Sequence, residues 1–171
     1  LQDGALDYTD DVLASFDYVV ASVHGQFTGS EAQMTGRIVT AVSNPFTTML
    51  GHPTGRVLLS RDGYPLNLVA VFEACVKHNT WIEINAHPYR LDLDWRHVKL
   101  AKEMGVRFVI NPDAHSTKEV AYYTYGVNVA SGDIDRGATA EILTGPGAGP
   151  IHGPHVRGFD RAGTALAEVS Y

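Results

Sequence analysis

The sequence of 171 residues holds one cysteine, Cys75. A single thiol excludes an internal disulfide framework and fits a reducing, cytoplasmic setting. Cys75 falls on an apolar helical face, so a buried core position is expected of it rather than nucleophile chemistry. Long apolar runs are missing too. None approaches the roughly 20 residues that cross a bilayer, and no charged-then-apolar leader opens the sequence, so no membrane partner is expected. Basic residues are scarce: 13 Lys and Arg stand against 19 Asp and Glu, for a formal net charge of -6. Without a basic cluster, an independent grip on a nucleic-acid backbone is not expected. What is present is ordinary for a globular chain. Hydrophobic residues make up 44%, and the length suffices for one domain with a real core.

Apolar runs alternate with helical patterns, which predicts parallel α/β topology. Tyr18–Val23 reads as a buried strand. Ser30-Glu31-Ala32-Gln33 has the spacing of a capping box and opens a helix to about Ser43, stopped by Asn44-Pro45. Gly36 weakens that helix by up to about 1 kcal/mol relative to alanine. Thr48–Gly51 reads as a short strand and Arg56–Tyr64 as a loop. Pro65 is expected at the first position of the next helix, where its missing N–H does no harm. Leu66, Val69, Phe72 and Val76 would form that helix's core-facing stripe. Trp81–Asn85 alternates and reads as a strand. Asp94 is expected to cap a helix through Met104, with Val98, Ala101 and Met104 inward and Gly105 as its left-handed terminator. Val106–Asn111 is the next strand. Ser116-Thr117-Lys118-Glu119 repeats the capping-box spacing, and a helix N-terminus there would favour an anionic substrate. Tyr125–Ala130 reads as a last strand and Ala138–Leu143 as a last helical turn.

Chemistry-bearing residues gather at the ends of the predicted strands. Asp113-Ala114-His115 follows the run that ends at Asn111. Residues two apart in an extended segment project to one side, so a carboxylate and an imidazole reach one point just past the strand. Parallel α/β folds place their chemistry at that end. Aspartate oxygen and histidine nitrogen suit zinc or manganese. His24 ends the run Tyr18–Val23, and His52 ends the run Thr48–Gly51. A histidine at the carboxyl end of a strand, repeated over three strands, is hard to explain by core packing. Polar loop residues that happen to be histidine are the plain alternative.

These segments resemble a known family. Ser22-Val23-His24, Leu50-Gly51-His52-Pro53-Thr54-Gly55-Arg56, Ile82-Glu83-Ile84-Asn85, Arg90-Leu91-Asp92-Leu93 and Asn111-Pro112-Asp113-Ala114-His115-Ser116 look like the later motifs of the PHP (polymerase and histidinol phosphatase) family. The similarity is strongest to the PHP domain at the C-terminal end of family X DNA polymerases of bacteria and archaea. It runs from about Leu1 to Leu143. The resemblance implies a (βα)7 barrel of parallel strands with outer helices, holding up to three divalent ions, zinc or manganese, at the C-terminal strand ends. His24 and His52 match two ligands of one ion. Asp113 matches a ligand of a second and His115 a ligand of the third, and both would serve catalysis there. The family's opening His-x-His, its next histidines and its bridging glutamate have no match here. The expectation is therefore a partial barrel, the later part of a PHP domain over residues 1–144 with the N-terminal strands missing. Tyr18–Val23 would then be an unpaired edge prone to association, and this sequence alone would bind metal weakly and hydrolyse little.

The function implied is metal-dependent hydrolysis of a phosphoester. Bound divalent ions lower the pKa of water from about 15.7 to about 7 and neutralise charge on phosphoryl oxygens. Arg56 and Arg90 lie just past strand ends, where each is either a bidentate phosphate clamp or a surface ion pair. Trimming of DNA 3′ ends within a polymerase-like protein is the leading reading, with DNA gripped by other domains. A freestanding PHP phosphatase on a small phosphomonoester is one alternative. An inactive PHP scaffold serving as an interaction module is another. Upstream sequence would separate the three.

Several residues stand outside the matched set. His87 follows a strand end and points to the same rim without matching a family ligand. Glu83 lies mid-strand among apolar neighbours, where a structural ion pair with an arginine is favoured over catalysis. His78 is expected beside a helix C-terminus, and His97 on a helix surface. Residues Gly145 to Tyr171 hold six glycines and three prolines. So few large apolar groups cannot offset ordering entropy, which predicts a disordered or loosely packed tail. His152 and His155 are read as exposed tail residues.

Overall fold

The computed structural model describes residues 1–122, and the backbone of three later strands at 128–132, 141–145 and 157–159. In chain order the elements are α1 (Asp10–Leu13), β1 (Val20–Ala21), α2 (Glu31–Ser43), β2 (Met49–Leu50), α3 (Leu68–His78), β3 (Trp81–Asn85), α4 (Trp95–Glu103), β4 (Phe108–Asn111), a 3-10 turn (Glu119–Ala121), β5 (Asn128–Gly132), β6 (Glu141–Gly145) and β7 (Arg157–Phe159). The chain is α/β. Strands β1 to β4 form a four-stranded parallel sheet in sequence order. The chain divides into two compact units, one of Leu1–Asn85 with Asp92–Ile110, the other of Ala86–Leu91 with the chain from Asn111 onward.

In the first unit, Val20 pairs with Met49 and Ala21 with Leu50, while Met49 and Leu50 pair on the other side with Trp81 and Ile82. Each link is a right-sized crossover carrying a helix, as parallel pairing requires. Helix α2 packs on α3. Met34, Ile38 and Val42 of α2 are buried, and so are Val71, Phe72, Ala74 and Cys75 of α3. With Leu50 and Ile82 from the sheet they make the core. Each large member contributes about 1.5–3 kcal/mol on burial. Among the described residues β1 is an outer strand of the sheet, with Val20 43% and Tyr18 64% exposed.

Local signals account for most helix ends here. Ser30 and Gln33 form the expected reciprocal capping box at α2. Asp94 caps α4 by accepting the Arg96 N–H, and Gly105 follows at φ 89. Helix α3 departs from expectation. It starts at Leu68, after Asn67 rather than at Pro65, because the Asn67 side chain accepts the Ala70 N–H and satisfies an otherwise orphaned donor. Its buried face also differs. Val69 and Val76 are each 44% exposed. Apolar residues surround this helix almost completely, so period alone does not choose a face. Glu73 marks the wet side, and Val69 and Val76 flank it four residues before and three after.

In the second unit the described backbone forms a three-stranded antiparallel sheet, with β6 between β5 and β7. Of the helical turn expected at Ala138–Leu143, residues 141–143 belong instead to strand β6, and residues 138–140 lie outside the described ones. Ile142, Leu143 and Thr144 suit a strand, and pairing on both sides overrides a weak helical pattern. The strand expected at Tyr125–Ala130 falls at Asn128–Gly132, and residues 125–127 lie outside the described ones. Within the expected tail, Arg157–Phe159 is a strand on β6. His152 and His155 lie outside the described residues. The capping box at Ser116 is not formed. The Glu119 carboxylate instead accepts the His115 N–H at 2.6 Å, and only a three-residue 3-10 turn follows, too short for a helix-dipole site.

Candidate functional site

Parallel pairing of β1 with β2 brings His24 and His52 together. His24 lies three residues past Ala21, and His52 two past Leu50, the two residues that face each other in register. Their Nε2 atoms are 3.3 Å apart, with ring centroids at 5.2 Å and planes at 62°. The Ser22 hydroxyl also lies 3.2 Å from His24 Nε2. His52 is buried and His24 exposed. Two nitrogens each about 2.0–2.1 Å from a tetrahedral ion sit about 3.4 Å apart. The pair therefore fits two ligand positions of one ion. Among the described residues no group of three or more His, Cys, Asp or Glu gathers around a common point.

Buried carboxylates hold His52 and its loop. Glu83, in β3 and 4% exposed, accepts the His52 backbone N–H at 2.6 Å and the Asn85 side-chain amide at 3.0 Å. A Cβ on Gly51 would lie 3.0 Å from Val20 Cγ1, so glycine there eases the close packing of β2 on β1. Asp92 takes the Thr54 and Gly55 N–H groups and the Thr54 hydroxyl. Burial pushes the Asp92 carboxyl up to about 6, against the Thr54 and Gly55 hydrogen bonds and the Arg56 charge. The Tyr64 hydroxyl donates to the Pro53 carbonyl at 2.7 Å, and Gly55 at φ +65 has no room for a Cβ, which would meet the Tyr64 ring at 2.5 Å.

Sequence reasoning missed this support. It is visible in the sequence only as an obligation: a carboxylate amid β-strand hydrophobics needs donors, and the Gly-His-Pro-Thr-Gly loop carries N–H groups that need acceptors.

Arg56 pairs with Asp94, as does Arg96 at 2.8 Å. Burial opposes ionisation of Asp94, but hydrogen bonds from Arg96 and Arg56 outweigh it and hold this carboxyl well below the usual range. The ion pair places Arg56 as a structural link between the loop after β2 and the start of α4.

In the second unit, Asp113 sits at φ 51, a conformation aspartate tolerates, and its Oδ2 meets Arg90 Nε at 3.0 Å. The His115 Nδ1 lies 2.9 Å from the Asp113 carbonyl oxygen. A carbonyl only accepts, so Nδ1 carries the proton and the lone pair of neutral His115 is on Nε2. This backbone contact is a common way to fix the tautomer of a metal-ligating histidine. The His115 side chain is 76% exposed. His87 accepts the Tyr89 N–H through Nδ1 at 3.2 Å, and its ring meets Tyr122 edge-on at 5.0 Å. Burial lowers the His87 pKa, against the raising charges of Asp113 and Glu119. His78 ends α3, and His97 lies half-buried on α4. No described helix is long and apolar enough to cross a membrane.

No protein-family model matches the chain. Over 130 residues it is 43% identical to the DNA polymerase/3'-5' exonuclease PolX of Bacillus subtilis (strain 168), covering 76% of this chain and 23% of that protein. Similarity extends to phosphatases. A probable phosphatase of Thermoanaerobacter sp. (strain X514) is 27% identical over 159 residues, covering 88% of this chain and 61% of the relative. One from Caldanaerobacter subterraneus subsp. tengcongensis is 28% identical over 137 residues, covering 75% and 52%. The chain spans less than two thirds of each of these relatives.

Proposed function

We propose that the chain is part of a PHP-type phosphoesterase that works with divalent metal, zinc or manganese. The observation that carries this reading is the 3.3 Å approach of His24 Nε2 to His52 Nε2 at the ends of adjacent parallel strands. Names of the relatives support it, one an exonuclease and the others phosphatases. In this reading the sheet belongs to a (βα)7 barrel, and the sequence is the later part of a longer protein. His24 and His52 hold one ion, while Asp113 and His115 serve as ligands of the other ions. A bound divalent ion supplies hydroxide near neutral pH and offsets charge on phosphoryl oxygens.

The chain's own residues prepare that chemistry. Glu83 and the loop hydrogen bonds hold His52 from behind, leaving its ring to face His24. The Asp113 carbonyl fixes His115 as the tautomer with a free Nε2. Arg90, half-buried beside Asp113, orients that carboxylate. Stronger identity to the polymerase-exonuclease favours DNA 3′ ends as substrate, with DNA gripped elsewhere in the parent, given the acidic charge here.

The wider coverage of the phosphatases keeps a small phosphomonoester as a second reading. The test is hydrolysis of 3′-recessed DNA and of small phosphomonoesters by the longer parent protein with added Mn²⁺. The proposal expects activity that the double substitution His24→Ala, His52→Ala abolishes. Full activity in that variant refutes it. This sequence on its own is expected to hydrolyse bis-p-nitrophenyl phosphate poorly.

A further inference from the structure

Asp92 is fully buried, and its carboxylate faces three donors from the loop that carries His52. The Thr54 N–H reaches Oδ2 at 3.0 Å, the Gly55 N–H reaches Oδ2 at 2.9 Å, and the Thr54 hydroxyl reaches Oδ1 at 2.9 Å. Asp92 is itself anchored to β3. Its carbonyl accepts the Asn85 N–H at 2.6 Å, and the next residue, Leu93, donates to the Glu83 carbonyl at 3.3 Å. Strand β3 thus holds His52 twice, directly through the Glu83 carboxylate and at one remove through Asp92. His52 needs such support. Its φ is 29, a region that strains a residue with a Cβ by about 1–3 kcal/mol. Strain of that size persists only where the surroundings over-determine the conformation.

We propose that Asp92 is a positioning residue for the His24/His52 pair, its carboxylate fixing residues 52–55 so that the two rings meet. This rests on reading the pair as metal ligands. Two backbone N–H groups converge on Oδ2, so that oxygen must accept, while Oδ1 faces a hydroxyl that can donate or accept. An asparagine that turns its NH2 toward those amides sets N–H against N–H, and one that keeps its oxygen there loses the charge that strengthens both bonds. Removing the acceptor frees the Thr54 and Gly55 amides to turn, and His52 relaxes out of its strained backbone.

The test uses the full chain without metal first. Nuclear Overhauser contacts between the His24 and His52 rings are measured in wild type and in Asp92→Asn. Zn²⁺ is then titrated calorimetrically. Thr54→Val and Thr54→Ser accompany them, because Asp92→Asn alters a buried residue and risks the fold. In folded Asp92→Asn the ring contacts are expected to weaken or vanish, and Zn²⁺ affinity to fall about 10–100-fold, the usual penalty for losing an outer-shell partner. Thr54→Val is expected to move the same way by less, and Thr54→Ser to restore wild-type behaviour. Unchanged ring contacts in folded Asp92→Asn overturn the proposal. If that variant does not fold, unchanged contacts and affinity in Thr54→Val overturn it. Failure of the metal reading looks different: ring contacts that depend on Asp92 in a wild type that takes up no Zn²⁺.

Discussion

Nε2 of His24 and Nε2 of His52 stand 3.3 Å apart, on residues 28 positions apart in sequence. Two neutral imidazoles at that distance either share a proton or aim two lone pairs at one cation. The exposed partner faces solvent, and the buried one is braced from below by Glu83. One ring is exposed and the other buried, so the pair lies at the surface with one side held.

The Glu83 brace predicts a stability effect. Glu83→Leu leaves the His52 N–H without its acceptor, and a buried unsatisfied donor costs about 1–3 kcal/mol. Urea denaturation should show a loss in that range with an unchanged slope. Glu83→Gln keeps one acceptor oxygen and should lose less. A change under about 0.5 kcal/mol for Glu83→Leu, typical of an idle surface site, contradicts the brace.

Asp92 predicts a pH dependence. Its folded pKa, about 6, lies above the usual 3.8. A raised carboxyl favours the folded state most when protonated, below about pH 4, and that contribution is lost as pH rises through 6. The wild type should therefore lose about 3 kcal/mol relative to Asp92→Asn between about pH 3.5 and 7. Denaturation of both proteins across that window reads the difference directly. A constant difference, or one of opposite slope, is the contrary result.

Much of the first unit was legible because its signals are local. Ser30 with Gln33, Asp94 before α4, Gly105 after it and the alternation of Trp81–Asn85 each state their structure within a few residues. The face of α3 was not legible, since Val69, Val71, Phe72, Cys75 and Val76 wrap the helix and only packing against α2 selects among them. Ser116–Glu119 had capping-box spacing, but Glu119 found the His115 N–H instead. The histidines were legible as residues at strand ends. That 24 and 52 meet depends on strand pairing, and what holds 52 depends on carboxylates 31 and 40 residues downstream. No local pattern carries such contacts.

Asp94 ties three segments together. It caps α4 and takes both Arg56 and Arg96. Its lowered pKa gives stability that is present above about pH 4 and fades as pH falls toward the folded value. Asp94→Ala should cost about 2 kcal/mol or more at pH 7, of which the cap accounts for about 1. Thermal unfolding at pH 7 and at pH 3 checks this, with the gap between variant and wild type narrowing in acid. A gap that widens in acid contradicts it.

Cys75 is buried at 0% exposure, and burial pushes its thiol up to about 12. It should react with Ellman's reagent only as fast as the protein opens, and at once in 6 M guanidinium. Rapid labelling of the native protein would show that the α2–α3 core is not closed.

The most direct measurement compares Zn²⁺ uptake by the wild-type chain with that of the paired substitution His24→Ala, His52→Ala at pH 7. His24 is exposed, so its loss leaves the core intact, and circular dichroism reports whether the doubly substituted protein remains folded. Wild type should bind at least about tenfold more tightly, a loss no smaller than that for an outer-shell partner. Superimposable isotherms from two folded proteins would mean that these imidazoles meet for a reason other than metal.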